Sequence, residues 1–282
     1  MAKERLTITL DTQTLEQLDE LIDGVTVRNR SHAIESILQK QLRPHISKVL
    51  VLAAGEGIKL RPLTYELPKA LIPVHGKPLI EHTIETLKKN NLTDIVITTG
   101  YLGEKIQDHF QNGSDFGVTI QYSEEPRLLG TAGGIVRARS FVEDNPFLVV
   151  YGDIIFDFDL QKFIDFFLEH EDAVGAVALT SVDDPTTYGV VQVDGNSIVG
   201  FREKPVNDDD LSHLVSAGIY AFRPEIFDIL PAKSPQKPLS LEQDIFPSMV
   251  TEGTLIGYPF SGPWFDITDP KEYERVLKKW DV

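Results

Sequence analysis

Leu52-Ala53-Ala54-Gly55-Glu56-Gly57-Ile58-Lys59-Leu60-Arg61-Pro62-Leu63-Thr64, followed shortly by Pro68-Lys69-Ala70-Leu71-Ile72-Pro73-Val74-His75-Gly76-Lys77-Pro78, is the stretch on which the fold turns. Lys48–Ala54 reads as a buried strand that runs into a loop carrying Gly55, Gly57, Lys59, Arg61 and, further on, Lys69. Glycines let backbone approach phosphate, and the cations neutralise it. Two lookalikes fail. A Walker A loop needs Gly-Lys-Ser/Thr, but Gly57 is followed by Ile58-Lys59-Leu60. A dinucleotide fingerprint needs a third glycine and a helix starting at once, which Pro62 opposes. An extended phosphate-approaching loop is the reading that survives, with a solvated cationic loop as the plainer alternative.

Outward from the loop, the chain alternates apolar strands with amphipathic helices. Leu79–Lys89 carries Ile80, Ile84 and Leu87 on one stripe; Asp94–Thr98, Val118–Tyr122 and Phe147–Tyr151 read as strands; Gly103–Phe110 and Gly134–Ser140 read as helices. Repeated strand-helix units predict an α/β body over 46–282, Rossmann-like, with a mostly parallel sheet covered by helices on both faces. Ligands then sit at the carboxyl ends of the strands.

Further motifs follow in order. Glu125 precedes Leu128-Leu129-Gly130-Thr131-Ala132-Gly133; Tyr151-Gly152-Asp153 closes a buried strand; Tyr188-Gly189, Phe201-Arg202-Glu203-Lys204-Pro205, Ser216-Ala217-Gly218-Ile219-Tyr220 and Trp264-Phe265-Asp266-Ile267 come later. Singly, each has a plain reading: a strand-ending Asp is a turn residue, and Glu203-Lys204 is a surface ion pair. Together with the glycine loop they resemble the sugar-1-phosphate nucleotidyltransferases over nearly all of 48–275. The Leu129–Gly133 run is most similar to the mannose-1-phosphate guanylyltransferase-like branch.

That resemblance implies the reaction of a nucleoside triphosphate with a sugar 1-phosphate to give a nucleotide sugar and pyrophosphate. It implies GTP as the favoured nucleotide, with UTP and CTP open, and Mg²⁺ as cofactor on Asp153 and Asp266. Lys59, Arg61, Lys69 and Asp153 become the catalytic set. Ala53, Ala54, Gly55, Gly57, Glu125, Gly130 and Thr131 become the nucleotide side, and Gly189, Glu203, Lys204, Ser216 and Gly218 the sugar-phosphate side. Two positions depart from the family pattern. Lys59 stands where an arginine is usual, keeping charge but losing the planar fork, with Arg61 two residues on. Ser216 replaces the asparagine usual before Ala-Gly-Ile-Tyr. Hexapeptide repeats are absent, so a linked acetyltransferase is not expected.

Residues 1–45 form a separate unit by pattern. Arg5-Leu6-Thr7-Ile8-Thr9-Leu10 alternates as a half-buried strand. Asp11-Thr12 or Thr14 caps a helix carrying Leu15, Leu18, Leu21 and Ile22. Ser31 caps a second, carrying Ala33, Ile34, Ile37, Leu38 and Leu42, before Pro44. Strand, helix, helix in this span resembles the ribbon-helix-helix family of the Arc, MetJ and CopG type. The resemblance implies a homodimer or higher homo-oligomer through residues 1–45. It also implies possible DNA contacts, with Arg5, Thr7 and Thr9 at base edges and Arg30 and Ser31 at a phosphate. The plainer reading keeps only dimerisation.

Composition bounds these readings. The chain has 282 residues, 41% hydrophobic, and no cysteine, so thiol nucleophiles, disulfides and cysteine-bound zinc are excluded. Its net charge is −16, against a nucleic-acid-binding surface overall. Residues 1–45 hold six Lys/Arg against seven Asp/Glu, so the body carries nearly all of that charge. With no signal-like start and no bilayer-length apolar run, the expectation is a cytoplasmic protein with no membrane partner. A second functional class stays open: a DNA-binding regulator whose nucleotidyltransferase-like body senses nucleotide or sugar phosphate.

Overall fold

In the computed structural model the described residues are 7–42, 45–205, 212–233 and 235–280, and the chain divides into two compact units, Met1–Pro44 and His45–Val282.

In the first unit, α1 (Thr12–Glu20) and α2 (Arg30–Leu42) both form, but α1 stops short of Leu21 and Ile22, which the periodicity places in it. Asp11 caps α1, accepting from the Thr14 amide at 2.9 Å and the Thr14 hydroxyl at 2.7 Å. The cap of α2 is a correction. Ser31 lies inside the helix, and Asn29 does the capping, its Oδ1 accepting from the His32 amide at 3.0 Å. The expected strand over 5–10 is not seen. Arg5 and Leu6 lie outside the described residues, and 7–10 join no ladder. A strand exposes backbone donors and acceptors that need a partner, and among the described residues none pairs with 7–10 in a ladder. Leu18 and Ala33 are buried, while Ile8, Leu10, Leu21, Val25, Ile37 and Leu38 are exposed.

The body is built on a nine-stranded sheet. Its strands are β1 (Lys48–Leu52), β2 (Asp94–Thr99), β3 (Thr119–Glu124), β4 (Phe147–Tyr151), β5 (Gly175–Ser181), β6 (Gly189–Asp194), β7 (Ser197–Glu203), β8 (Leu214–Phe222) and β9 (Leu255–Pro259), in the order β3-β2-β1-β4-β8-β5-β9-β7-β6. The β3-β2-β1-β4 half is parallel, as expected. The remainder is not: β8 runs antiparallel to both β4 and β5, and β7 antiparallel to β6 and β9, so the whole sheet is mixed. The physical reason is local at β6–β7, where Gly195-Asn196 makes a two-residue hairpin turn with Gly195 at φ +58°.

Both faces of the sheet are covered, which explains the unbroken apolar strands. Val49 and Val51 of β1 face one core with Ile80, Ile84 and Leu87 of α3 (Leu79–Lys89) and Ile106 and Phe110 of α4 (Gly103–Phe110). Leu50 faces the opposite core with Ala132, Ile135 and Val136 of α5 (Thr131–Arg137). This last helix starts three residues before the expected Gly134. Gly130, at φ +78° and ψ 173°, turns the chain, and the Leu239 carbonyl accepts from Ala132 and Gly133 amides at 3.0 and 3.3 Å, satisfying the helix start. Among the described residues no helix is long and apolar enough to cross a membrane.

Strand order places the functional crevice. From β1 the chain moves outward to β2 and β3, then returns across β1 to β4, a topological switch at the β1/β4 boundary. Register makes the carboxyl ends flush: Leu52 lies beside Thr98 and Tyr151, so Ala53, Ala54 and Gly55 emerge next to Gly152 and Asp153.

Candidate active site

The glycine loop is held from below. Gly57 sits at φ +62°, and a Cβ there would lie 2.9 Å from Thr64 Cγ2 and 3.0 Å from Lys69 Cβ. The buried Thr64 hydroxyl donates to the Gly57 carbonyl at 2.8 Å. Leu60, Ile72 and Val74 pack with Ile155, Phe265 and Ile267 in a small third core that ties the loop to the short ladder Ile154–Phe156/Trp264–Asp266.

That ladder brings the two expected metal ligands together. Asp266 pairs with Ile154, and the Ile267 amide donates to the Asp153 carbonyl at 3.2 Å. Lys69 forms a hydrogen-bonded ion pair with Asp153. Burial alone would lower the Lys69 ammonium, but the charges of Asp153, Asp266 and Asp269 outweigh it and leave the group above its ordinary value. Burial and the Asp153 charge push the Asp266 carboxyl up, against the pull of Lys69 and Lys204. Among the described residues no group of three or more His, Asp or Glu converges as a metal cage. Two crowded carboxylates without histidine or thiol suit a hard cation such as Mg²⁺, completed by substrate oxygens and water.

A cleft of about 210 Å³ opens at the ends of β1, β2 and β4. Ala54, Gly55, Glu125, Gly130, Thr131 and Asp153 line it, with Leu128 and Tyr151. Ala53 lies just beneath, buried, its amide donating to the Thr98 carbonyl at 3.2 Å. Glu125 is buried and accepts from the Leu129 amide at 3.0 Å; burial pushes its carboxyl up, with Leu129 and Thr98 partly opposing. Lys59 and Arg61 stand apart from this lining. Both are exposed on the loop, Arg61 at 3.6 Å from Glu56 and stacked over the Tyr65 ring at 5.1 Å.

A second cleft of about 90 Å³ gathers the expected sugar-side residues Gly189, Glu203, Lys204, Ser216 and Gly218 with Asp266. Glycine is required at 189, where a Cβ would lie 2.7 Å from the Phe201 ring and 3.0 Å from Glu203 Oε2. Lys204 donates to Glu203 at 2.7 Å and adopts φ +46°, a strained backbone for a non-glycine. Burial lowers its ammonium, but Glu203, Glu242 and Asp266 outweigh that and raise it. The β8 ladder breaks register between Ser216 and Tyr220, and the Trp264 indole donates to Ala217 at 2.9 Å within this bulge.

Tyr151 lines both clefts, so they adjoin. Its hydroxyl, with that of Tyr220, reaches Glu242, a residue that sequence reasoning passed over. The local signal misled: Ser240-Leu241-Glu242 before Ile245-Phe246 reads as an ordinary helix cap with a first-turn carboxylate, and Ser240 does cap that turn.

The residues expected at DNA belong to the first unit. Arg5 is outside the described residues, Thr7 and Thr9 are exposed in the segment without a ladder, and Ser31 is in the first turn of α2. Arg30 makes a two-pronged contact with Asp19, both bonds at 2.6 Å.

Comparison with known proteins agrees with this architecture. Residues 48–281 match the Nucleotidyl transferase family. The mannose-1-phosphate guanyltransferase of Kluyveromyces lactis is 36% identical over 232 residues, covering 80% of this chain and 62% of that protein. The catalytic subunit beta of mannose-1-phosphate guanylyltransferase from Xenopus tropicalis is 33% identical over 231 residues, with the same coverage. The chain thus spans less than two thirds of the length of these curated relatives. A crystal structure from Bacillus anthracis, assigned as a glucose-1-phosphate thymidylyltransferase and solved with sucrose, superposes with TM-score 0.74 at 28% identity, covering 83% of this chain and 96% of that one. HddC from Yersinia pseudotuberculosis, 24% identical with TM-score 0.70 over 84% of this chain and all of its own, shares the fold. The chain belongs to the nucleotidyl transferase family.

Proposed function

We propose that the body transfers a nucleotidyl group from a nucleoside triphosphate, GTP by preference, to a sugar 1-phosphate, releasing pyrophosphate. The observation that carries this reading is that two clefts adjoin at Tyr151, with Asp153, paired to Lys69, on one and Asp266 on the other. One cleft is apolar and glycine-walled, suited to a base and ribose; the other offers Glu203 and Lys204 to hydroxyls and a phosphate. Similarity to guanylyltransferases from yeast and frog favours GTP.

The chemistry needs no protein nucleophile. A sugar phosphate with a second pKa of about 6 is already largely dianionic at neutral pH. One of its oxygens forms a bond to the α-phosphorus while the bond from that phosphorus to the bridging oxygen breaks, pyrophosphate leaving with the electron pair. In this reading Lys69 and Lys204 hold the triphosphate and sugar phosphate, Glu203 orients the sugar, and Gly55 and Gly189 allow close backbone approach. Asp153 and Asp266 would hold Mg²⁺, which supplies charge neutralisation at the phosphate oxygens. Lys59 and Arg61 would act at the outer phosphates.

We further propose that the first unit is a ribbon-helix-helix dimer, its strand completed by a second copy. The exposed apolar side chains of Ile8, Leu10 and Leu21 support this. The engagement of Arg30 with Asp19 favours dimerisation over DNA contact. A screen of four nucleoside triphosphates against hexose and heptose 1-phosphates, with pyrophosphate detected, tests the catalytic reading. Turnover with at least one pair is expected; DNA binding that responds to these ligands with no turnover would favour the regulator instead. Sedimentation of the full chain and of a chain lacking residues 1–45 tests the dimer.

A further inference from the structure

Four donors converge on the carboxylate of Glu242, which itself lines the second cleft, and three of them, Thr131, Tyr151 and Tyr220, line one cleft or both. Its Oε1 accepts from the Tyr151 hydroxyl and, at 3.1 Å, from the Tyr220 hydroxyl. Its Oε2 accepts from the Thr131 hydroxyl at 3.0 Å and the Ser240 hydroxyl at 2.7 Å. Thr131 opens α5 and walls the nucleotide cleft; its hydroxyl also accepts from the Leu241 amide at 2.8 Å. On the other side, the Tyr220 hydroxyl lies 3.0 Å from Ser216 Oγ in the sugar cleft. The Tyr151 ring packs so closely on Gly218, at φ +72°, that a Cβ there would lie 2.9 Å from it.

We propose that Glu242 is a positioning residue that couples the two clefts, so that occupancy of the nucleotide side sets the geometry of the sugar-phosphate side and the reverse. The inference rests on the nucleotidyl-transfer reading above and adds a role that neither cleft alone requires. Ser240 already caps this turn, so the Glu242 carboxylate is not needed for that. Here its remaining acceptor capacity is spent on one side chain from the nucleotide wall and two tyrosines that border the sugar side. Burial and the Glu242 charge hold both tyrosine hydroxyls well above their ordinary value, so they remain neutral donors across the working pH range. A shift of Thr131 when a nucleotide enters therefore moves a shared acceptor, and the Tyr220–Ser216 pair moves with it. Such coupling is reciprocal by thermodynamic necessity.

The test is titration calorimetry on the full chain with a GTP analogue carrying a methylene bridge between α- and β-phosphorus, which cannot turn over, and mannose 1-phosphate. Each ligand is titrated alone and against saturating partner, with melting temperature measured in parallel. In the parent chain each ligand should tighten the other by one common factor, of about 5- to 150-fold. In Glu242→Gln that factor should fall to about one; in Tyr220→Phe, which removes the hydroxyl joining Glu242 and Tyr151 to Ser216 but leaves Thr131 on Glu242, it should fall part of the way. A parent factor of one, or a factor unchanged in both variants while melting temperature or single-ligand affinity drops, assigns Glu242 a purely structural role and overturns the inference alone. Failure of both ligands to bind the parent chain overturns the substrate reading and the inference with it.

Discussion

Two glycines of the cleft at the ends of β1, β2 and β4 separate stability from the proposed binding, and alanine at each should fail differently. Gly130 occupies φ +78°, ψ 173°, a region open essentially to glycine alone, costing a side-chain-bearing residue about 1–3 kcal/mol. An added Cβ would also lie 2.4 Å from the Leu239 carbonyl oxygen and 2.7 Å from its nitrogen, backbone atoms that cannot swing aside. Overpacking of this kind adds about 1–3 kcal/mol, so Gly130→Ala should cost about 2–6 kcal/mol in all. At roughly 2–4 °C per kcal/mol for a body of this size, melting should fall by at least about 4 °C. Gly55 lies outside the left-handed region, and its Cβ would meet nothing within 4 Å. Gly55→Ala should therefore stay within about 0.5 kcal/mol of the parent in stability. Its methyl group would project into space that the nucleotide needs, weakening GTP binding by about tenfold or more, equivalent to about 1.4 kcal/mol. Ligand-free thermal melting and GTP titration on both variants give the comparison. Gly130→Ala melting with the parent, or Gly55→Ala binding GTP as well as the parent, would refute the reasoning.

Three further outcomes follow from single contacts. Trp264→Phe strips the Ala217 carbonyl of its indole donor, so a stability loss of about 1–3 kcal/mol is expected, with KM rising for the sugar phosphate more than for the nucleotide. Thr64→Val removes one of the two donors to the Gly57 carbonyl and leaves the Leu60 amide at 2.9 Å; the expected cost is about 0.5–1.5 kcal/mol, with nucleotide KM raised, and unchanged kinetics would contradict the support role. Burial raises the Glu125 carboxyl in the folded chain, so its contribution is fully present below the unfolded carboxylate value and lost as pH rises through the higher folded one. Glu125→Gln should accordingly raise the melting temperature at neutral pH, and melting curves between about pH 4 and pH 7 should show the gain shrinking on acidification.

Elements whose burial is set by their own residues were legible in the sequence. Leu79–Lys89, Gly103–Phe110 and Phe147–Tyr151 form at their expected bounds, because a 3.6-residue stripe or an unbroken apolar run states which surface must be covered. What long-range partners decide was not legible. The start of α5 depends on the Leu239 carbonyl, and the antiparallel entry of β8 on a strand order that periodicity does not encode. Asn29 displaces Ser31 as cap through a two-residue shift that propensity does not resolve. For the site, clusters with several chemically suggestive neighbours, such as Phe201–Lys204, announced themselves. Glu242 did not, since it meets Tyr151 across 91 residues of chain and Thr131 across 111. Lys59 and Arg61 drew attention by charge, yet both lie outside the cleft lining.

The central claim is that Lys69 and Asp153, joined at the meeting of the two clefts, serve nucleotidyl transfer. Pyrophosphate release by the full chain with Mg²⁺ and the best nucleotide and sugar 1-phosphate pair, set against Lys69→Ala and Asp153→Ala, tests it most directly. Turnover is expected in the parent, with a fall of at least about 100-fold in each variant. A parental rate in either variant, with both confirmed folded by melting, would contradict it.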